Sequence, residues 1–122
     1  MGEIAMQVQV NTDNHIEGSA ELQAKVEDVV EGTLDRFKDR ITRVEVHLTD
    51  ESGSAKSRGN DMRCVMEARL TGLQPTTVSA DGSSVEQALH DAVEKLERAL
   101  SRILDRLSDT KGSTSFAGDL PE

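Results

Sequence analysis

Hydrophobic and polar residues alternate in the first part of the chain, where Ile4, Met6, Val8 and Val10 occupy every second position. A period of two is typical of a β-strand with one buried face, and it predicts a first strand here. The polar run 11–14 has the composition of a turn. We therefore expect a strand whose even-numbered residues face the core.

The hydrophobic spacing changes to three and four residues after Gly18 and Ser19, which is the period of an amphipathic helix. This pattern predicts a first helix from about Ser19 to Lys38. The apolar face of this helix would consist of Leu22, Val26, Val29, Val30, Leu34 and Phe37.

The middle of the chain predicts a second strand, in which Val44, Val46 and Leu48 alternate with polar residues. The step from Ile41 to Val44 breaks the period of two, so we expect this strand to begin after Ile41. Residues 49–61 are rich in Ser, Gly, Asp and Asn. Such a segment predicts an exposed, mobile loop.

A third strand follows, with Cys64, Met66, Ala68 and Leu70 on one face. The short connection 71–75 suits a hairpin into a fourth strand, residues 76–80. Strands joined in this way pair antiparallel, because a hairpin reverses the chain.

A second helix is predicted to begin after Gly82, where Ser83 and Glu86 have the spacing of a capping box. Its apolar positions keep a helical spacing for about six turns. They are Val85, Leu89, Ala92, Val93, Leu96, Leu100, Ile103, Leu104 and Leu107. Residues 108–122 contain little that could be buried, so we expect a disordered tail there.

The element order β-α-β-β-β-α predicts an α+β fold in one domain, residues 1–107. A single four-stranded sheet with both helices packed on one face satisfies this order most simply. This is a layout like that of double-stranded-RNA-binding domains. A fold of this kind does not by itself fix a function.

Several short motifs occur in order along this pattern. They are Asn-His-Ile-Glu-Gly at 14–18, Arg-Ile-Thr-Arg-Val at 40–44 and Lys-Leu-Glu-Arg at 95–98. Together they resemble the ribosome hibernation-promoting factors, also described as ribosome-associated translation inhibitors or sigma-54 modulation proteins. The loop between strands two and three resembles a longer-looped subgroup. The resemblance covers about residues 5–107, as in a short member of the family.

The resemblance implies a partner and a mechanism. Members bind the small ribosomal subunit and its RNA near the decoding region, overlap messenger and transfer RNA, and hold ribosomes idle. The expected function is therefore inhibition of translation under stress. A protein-interaction module that kept the fold and lost RNA binding is the alternative, and the acidity of the chain favours it.

The formal net charge of −9 works against binding of a polyanion by bulk attraction, so any RNA site must be a local basic patch. In helix two, Lys95, Arg98, Arg102 and Arg106 fall within an arc of roughly 80° beside the apolar face. They could form a phosphate-binding strip. They could equally form a solvated face with helical ion pairs such as Asp91 to Lys95 or Glu94 to Arg98.

Four further cations complete the candidate RNA-binding set. Lys25 and Arg36 lie at one edge of the helix-one stripe, so the basic edges of the two helices are predicted to border a common groove. Lys56 and Arg58 lie in the loop between strands two and three. These two could reach phosphates or only keep the loop solvated.

No signature of catalysis, cofactor binding or metal binding is present. The chain contains no GxGxxG, P-loop or CxxC motif. His15, His47 and His90 have no metal-binding spacing, and the role of His15 stays open. Cys64 is expected to be a buried, inert thiol. A hydrolase or transferase on this scaffold would lack any recognisable site, so we expect a protein that is not an enzyme.

The sequence also bears on location. It contains neither a secretory signal pattern nor an apolar run long enough to cross a membrane. We therefore expect a cytoplasmic protein with no membrane partner and no small-molecule substrate.

Overall fold

The computed structural model describes residues 6–13, 16–51 and 61–112, with only the backbone described for 108–112. Four strands and two helices follow one another in the predicted order. They are β1 (Gln7–Thr12), α1 (Ala20–Thr33), β2 (Ile41–Asp50), β3 (Met62–Leu70), β4 (Thr76–Gly82) and α2 (Val85–Gly112), with a short 3₁₀ turn at Asp35–Phe37 after α1.

The four strands form one sheet in the order β1-β2-β3-β4. The first pair is parallel, joined by the crossover through α1, and the other two pairs are antiparallel. Both helices cover the same face of the sheet and contribute to a single core. The predicted α+β fold and the antiparallel pairing of β3 with β4 are therefore confirmed.

The core lies between the helices and the even-numbered residues of the central strands. Burial alternates strictly along β2 from Val44 and along β3 from Cys64, as a one-sided sheet requires. The largest fully buried side chains come from both layers of this packing, the helices and the central strands. They are Leu34, Leu48, Met66, Leu89, Leu96 and Leu100, with Val26, Val30, Val44, Val46 and Val93 between them.

Strand β2 begins at Ile41, so the expectation that it begins after this residue is wrong. Ile41 pairs with Leu70 and Arg43 pairs with Arg69, which leaves Thr42 as an extra residue in β2. A β-bulge of this kind places two consecutive side chains on the same face. It explains the irregular step in the sequence, because Ile41 and Val44 are both buried.

Helix α1 ends at Thr33, earlier than predicted. Leu34 caps the helix, and the amide of Phe37 bonds to the carbonyl oxygen of Leu34 across three residues, as in a 3₁₀ turn. Leu34 and Phe37 are still buried, because a spacing of three fits a 3₁₀ turn as well as an α-helix. At the other end, the hydroxyl of Ser19 accepts a hydrogen bond from the amide of Leu22, as expected of an N-cap.

The cap of α2 lies one residue later than predicted. Ser84, not Ser83, accepts a hydrogen bond from the amide of Gln87 through its hydroxyl, at 3.1 Å. The Gln87 side chain in turn accepts from the amide of Ser83, at 2.8 Å. The side chain of Gln87 therefore makes the capping-box contact that the sequence predicted for Glu86. The shift arises because β4 continues through Gly82, so that the helix begins at Val85.

Helix α2 also continues beyond the predicted boundary at Leu107 and ends at Gly112. No Gly or Pro interrupts residues 108–111, and Gly112 is the first strong helix breaker. Residues 113–122 of the predicted tail lie outside the described residues. In the predicted loop 49–61, Thr49 and Asp50 belong to β2, and 52–60 lie outside the described residues. No described helix is long and apolar enough to span a membrane.

Candidate nucleic-acid interface

The four predicted cations of α2 lie on the flank of the helix that faces β4. The ammonium group of Lys95 donates a hydrogen bond to the backbone carbonyl oxygen of Ser79, at 2.9 Å, and thereby fixes this orientation. Arg98, Arg102 and Arg106 are exposed on the following turns. The structure therefore brings these four cations to one side of a single rigid helix.

The two helical ion pairs that the sequence suggested for this flank are not formed among the described residues. Neither Asp91 with Lys95 nor Glu94 with Arg98 is within ion-pair distance. Arg98 and Arg102 make no ion pair in the described part of the chain. Their guanidinium groups are accordingly open to solvent and to an anionic partner.

Lys25, a residue of α1, contacts the opposite flank of α2. Its ammonium group is 2.7 Å from a carboxylate oxygen of Glu86 and links the two helices. The hydrogen bond from Lys25 holds the pKa of the Glu86 carboxyl below its usual value. This lysine is therefore engaged in a contact within the protein.

Arg36 is also turned toward α2. Its guanidinium donates a hydrogen bond to the hydroxyl of Ser101, lies 4.0 Å from a carboxylate oxygen of Glu97 and stacks over the Phe37 ring at 4.5 Å. The cation–π contact with the Phe37 ring and the hydrogen bond to Ser101 together hold the Arg36 side chain against the protein.

The prediction of a common basic groove between the helices is wrong. Glu86 and Glu97, which contact Lys25 and Arg36, lie about 180–200° around the helix from Lys95. The two basic sets thus occupy opposite flanks of α2, and the flank that faces α1 is lined by carboxylates. Lys56, Arg58 and His15 lie outside the described residues.

The face of the sheet away from the helices carries charged residues that the sequence reasoning did not select. Arg43 lies directly opposite Arg69, and Glu45 lies directly opposite Glu67 in the next row. Within each strand the unlike charges meet, since Arg43 contacts Glu45, and Arg69 lies 3.7 Å from Glu67. The contact with Arg43 holds the pKa of the Glu45 carboxyl below its usual value, and His47 and Arg69 add to this effect. These cross-strand rows depend on the register between β2 and β3, so they could not be recognised from the sequence alone.

The chain matches, over residues 8–108, the family model described as sigma 54 modulation protein / S30EA ribosomal protein. The chain belongs to this family. The S30EA family is one of ribosome-associated factors. The predicted resemblance is therefore confirmed.

The solved structures that share the fold of this chain include the following two. The N-terminal domain of Thermus thermophilus Protein Y is 21% identical, with a TM-score of 0.63 over 80% of this chain and 99% of that one. A ribosomal subunit interface protein from Coxiella burnetii is 16% identical, with a TM-score of 0.60 over 82% of this chain and 99% of that one. No sequence match was found among curated proteins.

The described part of this S30EA-family chain contains no group of three or more His, Cys, Asp or Glu side chains that could hold a metal ion. Cys64 is buried in the core beneath the helices, and burial raises the pKa of its thiol to about 12. A thiol with so high a pKa is a poor nucleophile and metal ligand at neutral pH.

Proposed function

We propose that this protein binds the small ribosomal subunit through its RNA near the decoding region and inhibits translation under stress. Family membership supports the ribosome as partner. One observation carries the choice of RNA as the contacted component. It is the flank of α2 on which Lys95, Arg98, Arg102 and Arg106 follow one another, and on which Arg98 and Arg102 make no ion pair with any described residue.

This flank suits a phosphate backbone because its cations stand on a rigid support. The helix is anchored by Leu89, Leu96 and Leu100, none of which is exposed to solvent. Side chains on such a helix lose little backbone freedom when they bind, so more of their interaction energy becomes affinity. Each phosphate that they neutralise releases a counterion and adds to binding at low salt.

Recognition would depend on the shape and charge of the RNA rather than on its bases. Among the described residues the only Phe, Tyr or Trp side chain is Phe37, which is buried, and the chain contains no Trp or Tyr. Stacking of unpaired bases on a Phe, Tyr or Trp ring is therefore not available on the described surface, and only the His imidazoles and Arg guanidinium groups remain for stacking. Contacts to phosphates and ribose hydroxyls remain, and these are the usual means of reading folded RNA.

A bound protein of this kind inhibits translation by occupancy. According to the family resemblance, the site overlaps the positions of messenger and transfer RNA, so the ribosome stays idle while the factor is bound. No chemical step is involved, and the protein acts in the cytoplasm as a binding factor rather than as an enzyme.

Co-sedimentation with purified small subunits at two salt concentrations tests this function. We expect binding at low salt that weakens steeply as salt rises, because phosphate contacts release counterions. Charge reversal of Arg98 and Arg102 to Glu should weaken binding and flatten its salt dependence. The control, Asp28 and Glu31 of α1 reversed to Lys, changes the net charge by the same amount in the opposite direction at exposed positions away from the α2 flank.

Equal and opposite effects of the two double variants would mean that total charge, and not the α2 flank, governs binding. Absence of binding by the wild-type chain would contradict the proposed function itself.

A protein-interaction module is the second candidate, and the opposite flank of α2 favours it. There Lys25 and Arg36 are held by Glu86 and Glu97, so this side offers a partner mainly carboxylates. Association with another purified protein, together with no association with ribosomes, would support this candidate.

A further inference from the structure

A cluster of three arginines lies where β2 begins and β3 ends, away from the α2 flank. Arg43 and Arg69 are cross-strand partners on the face of the sheet that the helices leave uncovered. Arg40 directly precedes β2 and is exposed. We call these three residues the sheet-end arginines.

The backbone that carries the sheet-end arginines is fixed by hydrogen bonds. The amide of Arg40 donates to the carbonyl oxygen of Phe37 at 2.8 Å, and the carbonyl oxygen of Arg40 accepts from the amide of Thr71 at 3.0 Å. The hydroxyl of Thr42 donates to the carbonyl oxygen of Arg69 at 3.1 Å. The bulge at Thr42 brings Arg43 onto the open face. The cluster is thus preorganised rather than carried on a loose loop.

Two of these arginines have their hydrogen-bonding capacity unused. Among the described residues, Arg40 makes no side-chain hydrogen bond or ion pair. Arg69 makes no side-chain hydrogen bond among the described residues, because its ion-pair partner Glu67 lies 3.7 Å away, too far for a hydrogen bond, and the Glu45 carboxylate acts on it only through charge. A guanidinium offers five N–H donors in a plane and binds phosphate oxygens in pairs.

The pairing of Arg43 with Arg69 is itself unfavourable in the free protein. Like charges directly opposite each other destabilise an antiparallel pair. Glu45 and Glu67 offset part of this repulsion from the adjoining row. An anion that bridges the two guanidinium groups would offset the rest, so the arrangement favours a bound anion.

Most of the described cations lie in the same half of the molecule. Of the 14 Lys and Arg residues, Lys56, Arg58 and Lys111 have no described side chain, which leaves 11. Eight of these 11 described side chains lie in the half that contains the start of β2, the end of β3 and α2 from its midpoint onward. They are Arg36, Lys38, Arg40, Arg43, Arg69, Arg98, Arg102 and Arg106. We call this half the basic end.

The opposite half is acidic. It contains the end of β1, the β2–β3 connection and the N-terminal turns of both helices. Its described carboxylates include Asp13, Glu17, Glu21, Asp50, Glu51, Asp61, Asp81 and Glu86. The half that contains the basic end also carries carboxylates, among them Asp35, Asp39, Glu97 and Asp105, so its charges nearly balance, whereas the opposite half has a large excess of negative charge. A polyanion is therefore repelled far less by the basic end than by the opposite half.

We infer that Arg40, Arg43 and Arg69 form a second contact site for RNA phosphates, so that RNA meets the basic end of the molecule on two surfaces. This inference rests on the proposed function. The α2 flank supplies the first surface and the open face of the sheet supplies the second. The carboxylates of Glu45 and Glu67 keep the guanidinium groups oriented, and the donors of Arg40 and Arg69 contact the phosphates.

The test compares Arg69→Gln with Arg63→Gln in the full chain. Both arginines lie on β3, both are exposed on the same face, and each forms one ion pair, with Glu67 or with Asp81. They differ in the end of the sheet at which they lie. We expect Arg69→Gln, and equally Arg40→Gln, to weaken binding to small subunits and to lower the salt slope by about 1 for each arginine removed. Arg63→Gln should bind as the wild type does.

Folding and charge are separated by two further measurements. Arg69→Lys keeps the positive charge and should restore most of the salt slope, whereas a purely structural role of the guanidinium would leave it defective. Denaturation midpoints of all variants identify any that have lost stability.

The outcomes distinguish the inference from the function on which it rests. If the wild type does not bind ribosomes, the proposed function fails. If Arg98 and Arg102 matter but Arg69→Gln equals Arg63→Gln, only the second contact site is wrong. If Arg69→Gln weakens binding to intact subunits but not to protein-free ribosomal RNA, the surface contacts a ribosomal protein, and the assignment to RNA phosphates is overturned.

Discussion

Lys25 of α1 and Glu86 of α2 form an ion pair with a separation of 2.7 Å, and this contact changes the interpretation of the basic residues. It ties together the beginnings of the two helices and directs a predicted RNA-binding cation inward. A surface pair of this kind contributes little stability. Its importance lies in position, because it assigns Lys25 to the acidic flank of α2 and leaves the β4 flank as the cationic surface of that helix.

Truncation of Leu96 should test the core. Leu96 lies at the centre of the α2 stripe, is 0% exposed and packs against the sheet. We expect Leu96→Ala to lower the free energy of unfolding by about 2–5 kcal/mol, through lost burial and a cavity. Chemical denaturation measures this change. An unaltered midpoint would contradict the packing described for α2.

Two adjacent serines should differ in their effect on α2. Ser84→Ala removes the acceptor for the amide of Gln87 and should cost about 0.5–2 kcal/mol. Ser83→Ala removes only an exposed hydroxyl that donates to the Gln87 side chain, and it should cost less. Thermal unfolding of both variants measures the difference. A larger loss of stability for Ser83→Ala would indicate that Ser83 is the N-cap residue, as the sequence predicted.

Two glycines should respond oppositely to alanine. A Cβ at Gly82 would lie 2.7 Å from the backbone nitrogen of Ala88, so Gly82→Ala should destabilise the junction of β4 and α2 by roughly 1–3 kcal/mol. A Cβ at Gly32, in the last turn of α1, meets nothing within 4 Å. Gly32→Ala should therefore stabilise the protein by up to about 1 kcal/mol. Equilibrium unfolding of each variant against the wild type checks both signs.

The ion pair of Glu45 should make stability depend on pH in the acid range. Because Arg43 lowers the pKa of Glu45 in the folded protein, the carboxylate stabilises the fold fully above the ordinary pKa of Glu, about 4.3, and this contribution is lost as pH falls through the lowered pKa. Glu45→Gln should therefore differ from the wild type at neutral pH and approach it in acid. A difference that is independent of pH would contradict this assignment.

Cys64 should react slowly with thiol reagents in the folded protein. Its side chain is fully buried, and burial raises the pKa of the thiol to about 12, so little thiolate exists at neutral pH. Denaturant should restore an ordinary rate. Rapid labelling of the native protein would show that the core around β3 opens frequently.

The sequence predicts most of the fold because each element has its own periodicity. The alternation of Cys64, Met66 and Ala68 predicts a strand whatever strands lie beside it. The spacing of Leu89, Leu96 and Leu100 predicts a helix in the same way. The errors occur where a local pattern has two physical solutions. The step from Ile41 to Val44 fits either a late strand start or a bulge, and only pairing with β3 selects the bulge.

The site is less predictable for a related reason. A helical projection places Lys95 and Arg98 on one side of α2, but it does not reveal which flank faces α1. Lys25 and Arg36 therefore seemed to adjoin the same groove, whereas the packing sets them on the other flank. The opposition of Arg43 and Arg69 depends on strand register, which alternation alone does not determine.

The separation of charge between the two ends has a consequence for distance. Helix α2, with 28 residues, is roughly 42 Å long, whereas the Debye length at physiological ionic strength is about 8 Å. A phosphate near the basic end is thus several screening lengths from the carboxylates of the other end and responds only to the charges beside it. The net charge of −9 would govern the approach of RNA in dilute buffer, but at cellular ionic strength the orientation of the molecule replaces its total charge as the controlling quantity.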